Sequence, residues 1–247
     1  MNSYAGKTVW IIGASSGIGH ALAHTLHARG AILILSARNE NTLHTLNIDL
    51  GGRHKVLAFD VQDQAAFAQA FAQLGKIDSA LYLAAAYSPA KIVEITSEDC
   101  AHAVATNLSG AFTLLRYLLP HYKAQGYGQI ALCGSVAGYK GLPQGQPYSA
   151  TKAAIINLAE SLRAEVAGDN IDVKLISPGF VKTPLTDKND FAMPMIILPG
   201  EAARAIADGL LTKKFEIAFP FMFTALMKMI RALPYVLYFA LARKMNR

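Results

Sequence analysis

Short apolar runs alternate with longer amphipathic stretches along most of the chain. Seven runs of five to seven residues are rich in aliphatic and β-branched side chains. Most of them are continuously apolar, as expected for strands covered on both faces. They span residues 8–12, 32–37, 55–59, 79–84, 129–134, 171–177 and 215–219. Apolar residues with helical spacing lie between them, at residues 17–29, 42–50, 62–74, 98–122, 148–167 and 200–211.

This alternation predicts an α/β fold, a doubly wound, Rossmann-like parallel sheet of about seven strands with helices on both faces. No linker, repeat or block of charge divides residues 1–212. We therefore expect one domain over residues 1–219, followed by a basic, apolar and helical C-terminal segment, residues 220–247. Pro120 is expected to end or kink the long fourth helix.

The composition excludes several classes of protein. Hydrophobic residues make up 53% of the chain and charged residues 16%, which is unlike a disordered chain. Two cysteines, Cys100 and Cys133, are too few for a disulfide framework. The first ten residues lack the basic and apolar regions of a secretory signal. A reducing, cytoplasmic location is therefore expected.

The net charge of +6 is confined to the end of the chain. Residues 1–212 hold sixteen basic and sixteen acidic side chains, whereas residues 213–247 hold seven basic side chains and one acid, Glu216. A nucleic-acid-binding protein more often carries basic residues along one face of its main domain. We therefore expect no nucleic-acid partner.

The C-terminal segment combines these basic residues with aromatic and aliphatic ones. Thr224, Lys228 and Arg231 have the spacing of one helical face, and Pro234 interrupts the pattern. The longest uncharged runs have about 11 residues, whereas a helix that crosses a bilayer needs roughly 20. Two interpretations remain open. The segment is either a helix pair in peripheral contact with a membrane surface, or an apolar face buried against another subunit of a homo-oligomer.

A glycine-rich loop directly follows the first predicted strand and opens the first predicted helix. Gly13, Gly17 and Gly19 allow a tight turn and a close approach of the backbone to a pyrophosphate, which N–H groups at the helix N-terminus would bind. The loop also contains the predicted contacts Ser15, Ser16 and Ile18. A purely structural turn is the alternative, and it is disfavoured by the position of the loop in the first βαβ unit.

Arg38, at the end of the second predicted strand, indicates which dinucleotide binds. An acid at this position would bind the ribose 2′-hydroxyl of NAD, whereas the guanidinium of an arginine suits a 2′-phosphate. We therefore expect NADP(H) to be preferred, with NAD(H) possible. The alternative is a solvated surface arginine.

Tyr148 and Lys152 stand four residues apart in a helical stretch without proline, so their side chains share one helix face. A nearby ammonium is expected to lower the pKa of a phenol towards neutrality, which makes a general acid or base. Ser135 follows the fifth predicted strand, at the sheet edge where doubly wound folds bind ligands. Tyr87 and Lys91 have the same spacing, but the proline between them disfavours a helix, so we predict no catalytic role for this pair.

These motifs resemble the short-chain dehydrogenase/reductase family, of the compact single-domain type, over residues 6–212. Asn107, Ser135, Tyr148 and Lys152 match the catalytic tetrad of that family in order and spacing. Besides the glycine loop and Arg38, the resemblance implies cofactor contacts at Asp60, Val61, Ala84, Tyr148, Lys152, Pro178, Gly179, Val181 and Thr183. The family usually has Asn-Asn-Ala-Gly after the fourth strand, whereas residues 82–85 read Tyr-Leu-Ala-Ala here.

The resemblance implies an NADP(H)-dependent oxidoreductase acting on a small carbonyl or alcohol. Tyr148 would transfer a proton to or from the substrate oxygen, and Ser135 would bind the same oxygen. Lys152 would hold the nicotinamide ribose and lower the pKa of the phenol, while Asn107 would anchor a water. The alternative from another class is a catalytically silent cofactor-binding protein that acts as a membrane-associated or regulatory partner.

Residues 183–200 correspond to the segment that forms a lid over the substrate in this family. Phe191, Met193 and Met195 in this lid suggest a hydrophobic ketone or aldehyde, although ordinary packing of the loop explains them nearly as well. No metal site is expected. His20, His24 and His27 have helical spacing but no accompanying carboxylate or cysteine, so we interpret them as a solvated face.

Overall fold

Seven parallel strands form one sheet in the computed structural model, which describes residues 2–245. The strands are β1 (Thr8–Ile12), β2 (Ile32–Ala37), β3 (Lys55–Ala58), β4 (Ser79–Tyr82), β5 (Gly128–Cys133), β6 (Ile171–Pro178) and β7 (Glu216–Phe219). Their order in the sheet is β3-β2-β1-β4-β5-β6-β7. The predicted fold class is therefore confirmed, and all seven predicted strands are present with ends shifted by no more than two residues.

Nine α-helices accompany the sheet within residues 2–245. They are α1 (Gly17–Ala28), α2 (Glu40–Asp49), α3 (Gln64–Ala72), α4 (Ser97–Val104), α5 (Gly110–Gln125), α6 (Tyr148–Glu165), α7 (Pro199–Leu210), α8 (Phe221–Ala232) and α9 (Tyr235–Met245). Helices α1, α2 and α7 cover one face of the sheet, and α3, α5 and α6 cover the other. In β1, Ile11 packs on the face covered by α1, α2 and α7, and Trp10 packs on the face covered by α3, α5 and α6. Both faces of the strand are buried, which explains its continuously apolar sequence.

The stretch predicted as one helix over residues 98–122 differs from the prediction in two ways. Helices α4 and α5 are joined by a π-helical turn, Ala105–Ser109. Pro120 does not end the helix, because α5 continues to Gln125 and stops at Gly126, whose φ is +80°. Leu118 and Tyr122 on either side of the proline are completely buried. Their packing therefore outweighs the backbone hydrogen bond that the proline cannot make.

The chain reverses its direction of winding between β1 and β4. Strands β1 to β3 are added outward on one side, and β4 to β7 on the other. Ligands of such sheets bind in the crevice beyond the carboxyl ends of the strands at this point. The fold thus brings the loops after β1, β4, β5 and β6 together at one edge.

The C-terminal segment forms two helices that Pro234 separates, as the pattern predicted. Helix α8 inserts Phe223 and Met227 into the core on the side of α5 and α6. The boundary of the domain at residue 219 remains a prediction. Within the described part of the chain, no helix combines the length and the apolar character needed to span a membrane.

Candidate active site

A cavity of about 510 Å³ opens at the carboxyl edge of the sheet. Its wall contains every residue that the sequence predicted to contact the cofactor: Gly13, Ser15, Ser16, Gly17, Ile18, Gly19, Arg38, Asp60, Val61, Ala84, Tyr148, Lys152, Pro178, Gly179, Val181 and Thr183. These residues lie at the ends of β1, β2, β3, β4 and β6 or in the segments that follow them, and Tyr148 and Lys152 lie on α6. The volume lies in the range of small-molecule and cofactor sites.

The glycine loop forms one end of the cavity. Gly13 has a φ of +101°, and a Cβ on it would lie 2.7 Å from the backbone nitrogen of Ala84. Gly17 has a φ of +53° and begins α1. Among the described residues, no side chain caps this helix and no acid lies in its first turn. Its first N–H groups therefore remain available to a phosphate, so the loop fits the pyrophosphate of a dinucleotide.

Arg38 and Asp60 lie farther along the cavity wall, beyond the ends of β2 and β3. Asp60 is held in place by the backbone N–H of Gln62, which donates to its Oδ1 over 2.9 Å. Arg38 places a permanent positive charge at this end of the cavity. The contact of these two side chains with the adenosine half of a dinucleotide stays a prediction.

Ser135, Tyr148 and Lys152 form the wall at the other end of the cavity. Ser135 follows β5 and is positioned by the N–H of Ala137, which donates to its Oγ over 3.1 Å. Lys152 Nζ lies 5.4 Å from the centre of the Tyr148 ring and donates to the carbonyl oxygen of Cys133 over 2.8 Å. The predicted pair thus faces the same crevice as the glycine loop.

The expectation of a lowered phenol pKa is wrong for this structure. Burial raises the pKa of Tyr148 well above its ordinary value, and the hydrogen bond with Ser135 opposes this only in part. Burial also lowers the pKa of Lys152. The physical reason is that a phenolate loses its hydration here, while the ammonium of Lys152 is directed at Cys133 O.

Asn107 is buried one layer behind the cavity wall, in the π-helical turn. Its Oδ1 accepts from the N–H of Ala86 over 2.6 Å, and its Nδ2 donates to the carbonyl oxygen of the same residue over 3.0 Å. Nδ2 also donates to Thr151 Oγ1 on α6 over 2.9 Å. Asn107 therefore fixes the segment after β4 to the helix that carries Tyr148. These hydrogen bonds of Asn107 hold the segment after β4, which lacks the asparagines usual in the family.

Tyr87 lines the cavity beside Tyr148. Its ring packs edge-on against Tyr148, with the ring centres 4.9 Å apart. Its hydroxyl donates to Asn189 Oδ1 over 2.5 Å, and its carbonyl oxygen accepts from Lys188 Nζ over 2.9 Å. Burial raises the pKa of Tyr87. Lys91, four residues further along the chain, is exposed and outside the cavity wall.

The lid contributes to the cavity through its first part. The wall includes Thr183, Leu185 and Lys188, near a short 3₁₀ turn. Phe191 instead turns away and packs on Phe180, with ring centres 6.0 Å apart. The described residues of the cavity wall do not include Phe191, Met193 or Met195. The wall therefore gives no support to the predicted contact of these three side chains with the substrate. The sequence showed that the lid is apolar but not which part of it turns inward.

The fold and the cavity together define an oxidoreductase of the NAD(P)-dependent class. Within this class, the chain belongs to the short-chain dehydrogenase family, whose sequence profile matches residues 7–192. The chain is 32% identical over 188 residues to 3-oxoacyl-[acyl-carrier-protein] reductase of Rickettsia bellii, and the alignment covers 76% of this chain and 78% of the relative.

Two further relatives are similar over nearly the whole chain. An uncharacterized oxidoreductase of Myxococcus xanthus is 29% identical, with 97% of this chain and 98% of the relative covered. This alignment therefore includes most of the C-terminal segment. The crystal structure of a short-chain dehydrogenase from Burkholderia cenocepacia in complex with NADP has a TM-score of 0.86 at 24% identity. It covers 97% of this chain and 98% of that one, which shows a common fold.

Proposed function

We propose that this protein reduces a carbonyl group on a predominantly nonpolar small molecule with NADPH, and oxidises the corresponding alcohol in reverse. The observation that carries the proposal is the position of Ser135, Tyr148 and Lys152 in the wall of the cavity that begins at the glycine loop. A dinucleotide held at the glycine loop would supply a hydride to a carbonyl carbon in this cavity, and Tyr148 would supply the proton to the carbonyl oxygen.

Each of the four predicted catalytic residues has a role in this reaction. A nicotinamide bound in the cavity would supply the hydride. Tyr148 gives its hydroxyl proton to the carbonyl oxygen, which Ser135 orients through a second hydrogen bond. Lys152, held by Cys133 O, binds the ribose next to the nicotinamide. Asn107 acts as a positioning residue through its contacts with Ala86 and Thr151.

The preference for NADP(H) over NAD(H) rests on Arg38. Its guanidinium lines the cavity near the glycine loop, and its planar fork suits a phosphate on the adenosine ribose. The Burkholderia cenocepacia relative was solved with NADP. We expect a KM for NADPH at least about tenfold below that for NADH, because one charge-assisted contact to a phosphate contributes about 1.5–3 kcal/mol.

The nonpolar character of the substrate is supported by the residues around Tyr148. The ring of Tyr87 and the side chains of Val181 and Leu185 belong to the cavity wall. The Rickettsia bellii relative is named for reducing a 3-oxoacyl group, which is a carbonyl on an acyl chain. A reductase that accepts carbonyls with an attached alkyl chain fits both observations.

The test is a panel of carbonyls and alcohols of increasing chain length, in which turnover is measured from the absorbance of the reduced nicotinamide. We expect turnover that increases with the apolar character of the substrate. Tyr148→Phe should lower kcat at least about 100-fold, the contribution typical of a general acid. Tyr127→Phe is the matched control, because its hydroxyl bonds Asp78 and lies outside the cavity wall.

Retention of most of the activity in Tyr148→Phe would refute the proton assignment. Turnover confined to small polar carbonyls would refute the substrate class. Cofactor binding without turnover of any compound in the panel would favour the catalytically silent alternative.

A further inference from the structure

We propose that α8, α9 and the lid form a docking surface for an anionic lipid bilayer, with the mouth of the active-site cavity at that surface. Among the described side chains of α8 and α9, nine large apolar ones are exposed, including Met222, Leu226 and Met229 on α8 and Leu237 and Phe239 on α9. Monomeric proteins rarely expose so many apolar side chains side by side, and such patches usually mark an interaction site.

Helix α8 is apolar on two separate sides. Phe223 and Met227 are buried in the core. Met222, Leu226 and Met229 have the i, i+4, i+7 spacing of a second stripe, and 70%, 42% and 63% of their surface is exposed. Packing of the domain explains the first side of the helix. The second stripe requires a partner that is itself apolar.

Helix α9 is attached to the rest of the protein by few contacts. Tyr238 is its one buried side chain among those described, and its hydroxyl donates to the carbonyl oxygen of Gly141. The ammonium of Lys140 lies 4.6 Å from the ring centre of Tyr235 and 5.0 Å from that of Tyr238. The two helices have 12 and 11 residues and are separated by Pro234, which suits helices that lie in the plane of an interface.

The charge of the docking surface identifies a bilayer as the partner. No acid follows Glu216 in the sequence, whereas five basic residues do, including Lys228, Arg231 and Arg243. Glu216 itself is paired with Lys228. Anionic headgroups complement basic residues that flank an apolar stripe. A second copy of this chain, docked through the same surface, would bring the exposed Arg231 and Arg243 against like charges, which disfavours that partner.

The lid is joined to α8 at the rim of the cavity. The Phe180 ring lies between Phe191 of the lid and Phe223 of α8, with ring centres 6.0 Å and 5.3 Å away. Gly179 lines the cavity, and a Cβ on it would lie 2.7 Å from the ring of Phe223. Phe191 keeps 46% of its surface exposed. Because the lid adjoins α8 through Phe180 and leaves Phe191 exposed, the proposed docking surface includes Phe191.

The first experiment measures co-sedimentation of the full chain with vesicles of phosphatidylcholine and phosphatidylglycerol, and with vesicles of phosphatidylcholine alone. We expect binding to the anionic vesicles that weakens in 0.5 M salt. Replacing two charges, Arg231→Gln with Arg243→Gln, should weaken binding about 30-fold, since each basic residue near an anionic surface contributes about fivefold. Replacing two apolar residues, Leu237→Ser with Phe239→Ser, should weaken it at least about tenfold.

Matched controls use exposed residues remote from the docking surface. Arg53→Gln with Lys55→Gln removes two exposed charges at the start of β3, which lies at the opposite edge of the sheet from β7, and Ile48→Ser removes an apolar side chain that is 72% exposed on α2. Both should bind vesicles as the unchanged protein does. Absence of binding to anionic vesicles, or equal weakening by the control variants, would overturn the proposal. So would a dimer in sedimentation velocity that Phe239→Ser dissociates, without lipid binding.

The second experiment places a reporter in the lid. The chain has one tryptophan, Trp10, which is completely buried in β1. Phe191→Trp and Phe239→Trp should both show a blue-shifted emission with anionic vesicles. A shift in Phe239→Trp alone would overturn the position of the cavity mouth at the bilayer. Neither experiment requires substrate or cofactor, so their outcome is independent of the proposed reaction.

Discussion

At the residue scale, the protonation of Tyr148 would decide which direction of the proposed reaction is favoured at neutral pH. Burial raises the pKa of Tyr148, so its hydroxyl keeps its proton through the neutral range. A protonated phenol is the form that carbonyl reduction needs. Alcohol oxidation needs the phenolate. As long as the pH is below the pKa, the phenolate fraction increases tenfold for each unit by which the pH rises.

We therefore predict that kcat/KM for alcohol oxidation increases about tenfold per unit between pH 7 and pH 9. The kcat/KM for carbonyl reduction should stay nearly constant between pH 7 and pH 9. Initial rates in both directions with one carbonyl and alcohol pair provide the measurement. An oxidation rate that is already level at pH 7 would show that the phenol titrates near neutrality in the working enzyme.

Tyr87 connects Tyr148 to the lid at the same scale. We predict that Tyr87→Phe increases KM for the carbonyl substrate about fivefold, with a smaller change in kcat. The ring that packs on Tyr148 is retained, while the hydrogen bond to Asn189, of about 1 kcal/mol, is lost. Steady-state kinetics beside Tyr127→Phe, which loses a hydroxyl outside the cavity wall, provide the test. Identical kinetics in the two variants would mean that Tyr87 does not hold the lid.

At the element scale, His54 ties three elements together. Its Nδ1 accepts from the backbone N–H of Leu33 in β2 over 3.2 Å, and its Nε2 lies 2.9 Å from His27 Nδ1 on α1. Its own N–H donates to Asn47 Oδ1 on α2 over 2.9 Å. His27 therefore pairs with a second histidine from outside the predicted series of His20, His24 and His27. Burial, and then the charges of His27 and Arg53, lower the pKa of His54.

This shift gives stability a defined dependence on pH. The unfolded chain binds a proton at His54 below about pH 6.5, whereas the folded protein resists it, because burial and the nearby charges of His27 and Arg53 disfavour the charged imidazole. The free energy of unfolding should therefore decrease as pH falls below 6.5, and level off below the folded pKa. We predict that His54→Gln removes most of this decrease.

Urea unfolding between pH 7.5 and pH 5.0 measures this effect. His44→Gln, an exposed histidine on α2, is the matched control and should keep the dependence of the unchanged protein. If the free energy of unfolding depended on pH equally in the two variants, His54 would be excluded as the source of this dependence.

At the scale of the whole molecule, the two C-terminal helices differ in what they contribute to the domain. Phe223 and Met227 of α8 are part of the core, whereas Tyr238 is the one buried side chain described in α9. Burying a large apolar side chain contributes about 2–5 kcal/mol. The core therefore includes α8, although the sequence pattern placed the end of the domain at residue 219.

We predict that a chain ending at residue 233 unfolds within a few degrees of the full-length protein. A chain ending at residue 220 should unfold more than about 10 °C lower, because two core side chains are lost and each 1 kcal/mol corresponds to about 2–4 °C. Thermal denaturation followed by circular dichroism provides the measurement. Phe223→Ala and Phe239→Ala form a matched pair, of which the first alone should be destabilising. Equal stability of the chains ending at 220 and 233 would instead support the boundary at residue 219.

The sequence by itself determined the features that depend on residues close together in the chain. Continuous apolar runs indicated the buried strands, the glycines after β1 indicated the phosphate loop, and four-residue spacing placed Tyr148 and Lys152 on one helix face. Each of these patterns is local, because helix and strand geometry repeat over a few residues. Their positions at strand ends were then sufficient to predict one common site, since parallel strands end at the same edge.

Only the tertiary structure decided the features that join distant parts of the chain. The hydrogen bond between Tyr87 and Asn189 links residues 102 positions apart. The hydrogen bond between Asn107 and Ala86 joins the π-helical turn to the segment after β4. Burial, which sets the pKa of Tyr148, and the choice of the buried side of α8 likewise depend on what packs around them. Periodicity reveals which side chains share a face, but desolvation and contact arise only when the elements are assembled.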